Sequence, residues 1–245
     1  ALFGASACNV SAQNNMSEVI PLDLSGPRPT AQLVIGNTPP VRAIFDTGAA
    51  ASVLKLAYAQ RIGAPNQGAA AAHAPTGAPV QGFRTTIAGT LGGAHFDSAL
   101  AVALDIPLPL EGIDAIISPS VFAGRLVRCN FAASQAQVVP MTAANAPAGT
   151  AAPYVEADTH GHMNSTPGVA VSIPGLAPVV AILDTGSSRG LTLPLSMANA
   201  VPLVAPMSPD EPQRMVGALY SAFKAQLNGD VRIGGLTLHN PGIRF

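Results

Sequence analysis

Apolar residues occur along the chain in short runs that are rich in Val and Ile and bounded by Gly, Pro, Asn or Asp. This pattern is typical of short β-strands. It predicts strands at Ala31–Ile35, Val41–Phe45, Phe83–Ile87, Ala99–Leu104, Ala115–Ile117, Gln137–Val139, Val169–Ile173, Val179–Leu183, Ala222–Leu227 and Val231–Ile233. Helical periodicity is weak, and only Ser52–Arg61 and Leu195–Ala200 are predicted as helices. The predicted fold class is therefore all-β, with little helix.

The apolar pattern repeats in the two halves of the chain. Residues Thr30–Gly48 (TAQLVIGNTPPVRAIFDTG) and Gly168–Gly186 (GVAVSIPGLAPVVAILDTG) align without a gap, and 8 of 19 positions are identical. Both copies end in Asp-Thr-Gly, and a Gly-Gly hairpin follows in each half, at Leu91–Phe96 and at Ile233–Leu238. Two aligned copies indicate an internal duplication.

The duplication predicts two lobes of ordinary domain size. Residues 1–16 form an N-terminal tail and residues 17–140 the first lobe. Residues 141–167 comprise the linker and the start of the second lobe, because Met141–Thr150 has loop composition. Residues 168–245 form the rest of the second lobe.

Composition narrows the function classes. The chain is 48% hydrophobic and 10% charged, with a formal net charge of −1. It therefore has no basic stripe for nucleic acid, and no apolar run reaches membrane-spanning length. His160 and His162 lack a third ligand nearby, so they are interpreted as linker residues and no metal site is predicted.

The N-terminal segment allows two interpretations. Ala5-Ser6-Ala7 follows a short apolar stretch, as at the end of a secretory signal, which would predict a periplasmic or secreted protein. The alternative is an Ala-rich tail. Cys8 and Cys129 could pair in an oxidising compartment, or they could be a tail residue and a buried thiol.

Each half of the chain places one carboxylate, Asp46 or Asp184, directly after a buried apolar strand. Two carboxylates a few ångströms apart share one proton, because like charges repel too strongly for both to ionise. The ionised member can take a proton from water while the protonated member polarises a substrate carbonyl. The pair is therefore the predicted catalytic site.

The residues after each aspartate are predicted to support it. Gly48 and Gly186 allow a tight turn and place backbone N–H groups near the carboxylates. Thr47 and Thr185 are expected to hydrogen-bond across to the opposite loop.

The two loops are not identical, because Ser187 follows the second motif and Ala49 follows the first. We expect the Ser187 hydroxyl to donate a hydrogen bond to Asp184. Such a bond favours the charged form, so Asp184 is predicted to be ionised and Asp46 to carry the proton.

Phe45–Gly48 and Leu183–Gly186 resemble the active-site loops of pepsin-like and retroviral-like aspartic proteases. Their spacing and the small lobes are closer to a fused pair of retroviral-type domains than to a full pepsin. The resemblance implies a two-lobed all-β fold, an aspartic endopeptidase activity on polypeptide substrates, and no cofactor.

The family also carries a hairpin, the flap, that closes over the substrate. The resemblance places the first flap near His73–Gly82, with Thr76 and Gly77 as candidates, although the tyrosine that pepsins carry there is missing. It places the second near Met215–Ser221, with Tyr220 as the candidate.

A strand that supports the catalytic loop is expected in each lobe of the family. Ile113–Ser118 (IDAIIS) resembles its hydrophobic-hydrophobic-Gly segment, with Ser118 in place of Gly. The same distance after Asp184 gives position 254, beyond Phe245. The second lobe is therefore expected to be incomplete. Its strand would be a separate C-terminal fragment left by proteolysis after Phe245, or would come from a second copy, or this is a truncated form.

Three functions remain open from the sequence. The first is an aspartic endopeptidase with apolar preferences on both sides of the cleaved bond, because no cluster of charged residues adjoins either motif in the sequence. The second is an inactive or peptide-binding protein on the same fold. The third is a structural β protein in which Asp-Thr-Gly is only a turn.

Overall fold

The computed structural model describes residues 17–72, 80–108, 111–145, 154–158, 163–215 and 218–245. In the first half the strands are β1 Glu18–Pro21, β2 Thr30–Ile35, β3 Val41–Phe45, β4 Ser52–Lys55, β5 Ala69–Ala72, β6 Val80–Leu91, β7 Ala94–Leu104, β8 Ile113–Ile117, β9 Arg125–Asn130 and β10 Gln135–Pro140, with one helix, α1 Leu56–Arg61, and 3₁₀ turns at Pro119–Phe122, Phe131–Ala133 and Ala143–Asn145. In the second half they are β11 Tyr154–Asp158, β12 Met163–Ser172, β13 Val179–Ile182, β14 Leu191–Thr192, β15 Ser208–Met215, β16 Ala218–Gln226, β17 Asp230–Ile233, β18 Leu236–His239 and β19 Gly242–Arg244, with a 3₁₀ helix at Leu195–Ala200.

The predicted all-β class is confirmed, and each predicted strand overlaps an observed one. The prediction of a helix over Ser52–Arg61 is wrong for its first four residues. Ser52–Lys55 is strand β4, which pairs with both β7 and β8 and whose Ser52 and Leu54 side chains are fully buried. Only Leu56–Arg61 is helical. None of the helices in the described part of the chain is long and apolar enough to span a membrane.

The first half forms a closed barrel. Its strands follow the order β2-β3-β8-β4-β7-β6, and β6 pairs back onto β2. Strand β8 lies in the middle, parallel to β3 and antiparallel to β4. The barrel interior is apolar and continuous with the core under β1 and β10; its fully buried large side chains include Ile20, Leu33, Phe45, Leu54, Leu91 and Ile117.

The second half repeats part of this arrangement. Strand β12 pairs antiparallel with β13, as β2 does with β3, and β14 pairs parallel with β19, as β4 does with β7. The predicted Gly-Gly turns join β6 to β7 and β17 to β18. A separate core contains Val171, Leu227, Val231 and Ile243.

A counterpart of β8 is missing among the described residues of the second half, where β13 pairs only with β12 and β14 only with β19. The consequence is visible at equivalent positions. Ile44 and Phe45 are 1% and 0% exposed, whereas Ile182 and Leu183 are both 48% exposed. The second lobe therefore has an uncovered strand edge beside its Asp-Thr-Gly loop.

Several predicted features lie outside the described residues: Cys8, Thr76, Gly77, His160 and His162. Cys129, on β9, is exposed, so the alternative of a buried thiol is wrong, and it forms no disulfide within the described residues. Ser118 is described, and it follows β8 directly. Its φ of −75° is open to any residue, and its amide donates to the Ser52 hydroxyl at 3.2 Å, so glycine is not required there.

Candidate active site

The two aspartates stand at the ends of equivalent strands, β3 and β13. The preceding residue is anchored in the same way in each lobe: the Phe45 amide donates to the Pro29 carbonyl at 3.0 Å, and the Leu183 amide donates to the Pro167 carbonyl at 2.8 Å. In the first lobe, the Asp46 amide also donates to the Ile117 carbonyl of β8, at 3.0 Å. These hydrogen bonds fix the backbone from which each aspartate side chain projects.

Both loops then turn back onto their own carboxylate. Asp46 Oδ1 accepts the backbone N–H groups of Gly48 at 2.8 Å and Ala49 at 3.1 Å. Asp184 Oδ1 accepts the backbone N–H of Ser187 at 3.0 Å. The turns therefore hold the two carboxylates in defined orientations.

The glycines bring the two loops into contact. A Cβ placed on Gly48 would lie 2.5 Å from Asp184 Cγ, and a Cβ on Gly186 would overlap the Asp46 carboxyl group. Each glycine therefore packs directly against the opposite aspartate, and no larger residue fits there without moving a carboxylate.

The two threonines lock the loops together, and the cross-loop hydrogen bonds predicted from the sequence are present. The Thr47 hydroxyl accepts the Thr185 amide at 3.1 Å and donates to the Leu183 carbonyl at 2.6 Å. The Thr185 hydroxyl accepts the Thr47 amide at 3.0 Å and donates to the Phe45 carbonyl at 2.7 Å. Four reciprocal bonds thus join the lobes directly beneath the carboxylates.

The electrostatics of the pair are asymmetric. Burial, followed by the adjacent Asp184 carboxyl, raises the pKa of Asp46 to about 6, although the Gly48 and Ala49 amides lower it. Asp46 is partly buried, whereas Asp184 is exposed. The shared proton therefore belongs on Asp46, where ionisation is the more costly.

Arg28 is a site residue that the sequence analysis missed. Its Nε donates to the Gly186 carbonyl, so a first-lobe side chain reaches the second-lobe loop. Its pKa is lowered by burial and raised by the charges of Asp184 and, less strongly, Asp46. Arg28 therefore brings a positive charge to the dyad, and this charge interacts more strongly with Asp184 than with Asp46. The internal duplication did not indicate Arg28, because the aligned position in the second half is Thr166.

The predicted role of the Ser187 hydroxyl is wrong. This hydroxyl donates to the Arg189 carbonyl at 3.2 Å, and Asp184 receives the Ser187 backbone N–H instead. The hydroxyl turns away because the loop also folds the Arg189 amide onto it, at 3.2 Å. The asymmetry between the two carboxylates therefore comes from burial and Arg28.

Of the flap candidates, only Tyr220 is described. It lies on β16 opposite Gln213 of β15, and two further residue pairs, Arg214–Leu219 and Met215–Ala218, separate it from residues 216–217. Its hydroxyl is enclosed and has no hydrogen-bond partner in the structure as described. In the first lobe, β5 and β6 pair on either side of residues 73–79, which contain Thr76 and Gly77.

No protein-family model matches this sequence, and no curated protein matches it. Among solved structures, it is similar to the crystal structure of a retropepsin-like aspartic protease from Rickettsia conorii, with 14% identity and a TM-score of 0.38. The match covers 51% of this chain and 91% of that chain.

Proposed function

We propose that this protein is an aspartic endopeptidase that hydrolyses peptide bonds of extended polypeptides with water activated between Asp46 and Asp184. One observation carries the proposal: two carboxylates face each other across reciprocally bonded loops, and the pKa of one is raised to about 6. A turn motif with only a structural role does not require such a pairing of acidic groups, which is costly to bury.

The chemistry follows from the position of the proton. Ionised Asp184 takes a proton from water, and the resulting hydroxide attacks the carbonyl carbon of the peptide bond. Asp46 donates its proton to the carbonyl oxygen, which gives a neutral tetrahedral diol. Asp184 then gives its proton to the departing nitrogen while Asp46 takes a proton from a diol hydroxyl, so the C–N bond breaks, a carboxylic acid forms, and the pair again shares one proton.

A peptide-binding protein without hydrolysis is the second candidate. The observation that favours it is the uncovered edge at Ile182 and Leu183, which leaves the second catalytic loop less supported than the first. Such a protein would use the same cleft and bind the same extended chains.

The substrate preference is proposed to be apolar beside the cleaved bond, and Arg28 modifies the reasoning behind it. The sequence suggested that no charged group adjoins the motifs, but Arg28 contacts the second loop. We therefore expect apolar residues at the cut, together with tolerance of an acidic residue near Arg28. The periplasmic or secreted location also remains a proposal.

Cleavage of an unstructured protein tests the function. We expect fragments to form between about pH 3 and about pH 7, with apolar residues at the cut sites, and formation to stop when a statine-type inhibitor is added. Inhibitors of serine, cysteine and metalloproteases serve as controls and should have no effect. Saturable binding of the statine-type inhibitor without fragments at any pH would favour the peptide-binding candidate.

A further inference from the structure

The uncovered edges of β13 and β14 form a surface that we call the strand slot, defined by Val180, Ile182, Leu183 and Leu191. The first lobe shows what such a surface is built to hold. There, β8 lies between the equivalent strands, parallel to β3 and antiparallel to β4. The second lobe repeats both flanking strands but, among its described residues, not the one between them.

The side chains of the slot are those that β8 covers in the first lobe. Ile44 packs with Ile113 and Ile116 of β8, and Phe45 shares a core with Ile117. Their counterparts, Ile182 and Leu183, are each about half exposed. Large apolar side chains grouped at an unpaired strand edge mark an interaction surface.

The main chain of the slot has a free hydrogen-bonding position as well. The Asp46 amide donates to the Ile117 carbonyl of β8. The Asp184 amide has no backbone partner within the described ranges. A strand that enters the slot would supply a carbonyl acceptor for the Asp184 amide, as Ile117 does for the Asp46 amide in the first lobe.

The slot is uncharged and continuous with the contact between the lobes. Val180 stands where the first lobe has Arg42, so the slot carries no charge at this position. The carbonyl of Leu183 already accepts the Thr47 hydroxyl from the other lobe. An occupant of the slot would therefore extend an existing interface.

We propose that the strand slot binds an extended apolar peptide strand, parallel to β13 and antiparallel to β14. The occupant carries apolar side chains at alternate positions, as in β8, whose Ile113, Ala115 and Ile117 are all fully buried. Recognition combines main-chain pairing at a sheet edge with apolar side-chain contacts. This binding does not depend on catalysis.

The test uses a peptide with the sequence of residues 112–118 (GIDAIIS), with lysines added at both ends for solubility. The protein carries Asp46→Asn, so that hydrolysis cannot be confused with binding. We expect saturable binding by calorimetry and slower hydrogen exchange at the Asp184 amide. A control peptide with Pro in place of the residue corresponding to Ala115 should bind at least about tenfold more weakly, because Pro removes a ladder donor.

Two exposed positions of the second lobe give matched variants. Ile182→Asp should weaken peptide binding at least about tenfold by placing a charge in the slot. Leu236 is exposed on β18, which β17 and β12 separate from β13. Leu236→Asp should therefore leave the peptide affinity within about twofold of the unaltered value. The proposal is overturned by absence of saturable binding, by equal binding of the Pro peptide, or by full binding to Ile182→Asp. It is equally overturned if sedimentation shows that a second copy fills the slot, in a dimer that Ile182→Asp dissociates.

Discussion

At the scale of single residues, the two aspartates differ in what surrounds them. Asp46 is partly buried and has the higher cost of ionisation, which raises its pKa to about 6. Asp184 is exposed, and its charge interacts with Arg28 more strongly than the charge of Asp46 does. Arg28 also contacts the Gly186 carbonyl. A symmetric motif therefore yields a dyad with a defined acid and a defined base.

The raised pKa of Asp46 predicts how stability depends on pH. The folded state keeps this proton up to about pH 6, whereas the unfolded state loses it near 3.8, so unfolding becomes easier as pH rises through this window. Asn at position 46 cannot ionise. We therefore expect Asp46→Asn to gain stability relative to the wild type between about pH 4 and about pH 6, measured by urea unfolding. A constant difference across this range would contradict the raised pKa.

Arg28 should set the acidic limb of the pH–rate profile. Arg28→Met removes the cation beside the carboxylate pair, so the limb should move to higher pH, while Arg28→Lys should keep most of the effect. Ser187→Ala is the matched control and should leave the limb in place, because that hydroxyl bonds to the Arg189 carbonyl. A shift in Ser187→Ala without one in Arg28→Met would contradict this assignment.

The aspartates and threonines could be predicted from the sequence because the duplicated motif carries them. Arg28 could not, because its contact depends on how two lobes meet, and the aligned Thr166 offers no parallel. The direction of the Ser187 hydroxyl could not be predicted from the sequence either. It is decided by the local turn toward Arg189.

At the scale of elements, β3 and β13 are copies with different neighbours. Ile44→Ala removes a fully buried side chain and should cost about 2–5 kcal/mol of unfolding free energy. Ile182→Ala, at the equivalent but half-exposed position, should cost under about 1 kcal/mol. Urea unfolding of both variants compares them. Equal losses would mean that Ile182 is covered after all.

The threonine pair should act as one structural unit. Thr47→Val or Thr185→Val removes one hydroxyl that donates to a carbonyl and accepts an amide. Each should destabilise the protein by about 1–3 kcal/mol, because partly buried groups lose their partners. Thr47→Ser keeps the hydroxyl and serves as the control. The double valine variant should cost less than the sum of the single variants, since each hydroxyl bonds the backbone amide of the other threonine and the two losses act on the same loop contact.

Strands could be predicted where apolar residues alternate strongly. They were missed where a polar or proline-containing segment is held as a strand by its pairing with a neighbouring strand. β15 (SPDEPQRM) contains two prolines and several charges, yet it pairs with β16 through a bulge between Asp210 and Gln213. Its Asp210 is held by Arg189 at 2.9 Å and Arg244 at 2.7 Å. The prediction of a helix at β4 was wrong because the four residues SVLK are compatible with both helical and strand periodicity. Their pairing with β7 and β8 decides for the strand.

At the scale of the whole molecule, the duplication explains both the fold and the site. Each half supplies one aspartate, one threonine and one glycine, so neither half holds a complete dyad. The all-β class followed from the pattern of strands. The closure of the first barrel could not be predicted, because it depends on the long-range pairing of β6 with β2.

Peptide cleavage by three variants at about pH 5 shows whether Asp46 and Asp184 act as a catalytic pair. Asp46→Asn and Asp184→Asn should each lose at least about a thousandfold in kcat/KM, because either change removes the shared proton chemistry while keeping the side-chain shape. Asp114→Asn is the matched control. It alters only an ion pair with Arg61, at 3.5 Å, and should cleave like the wild type. Wild-type cleavage by either dyad variant would contradict the account.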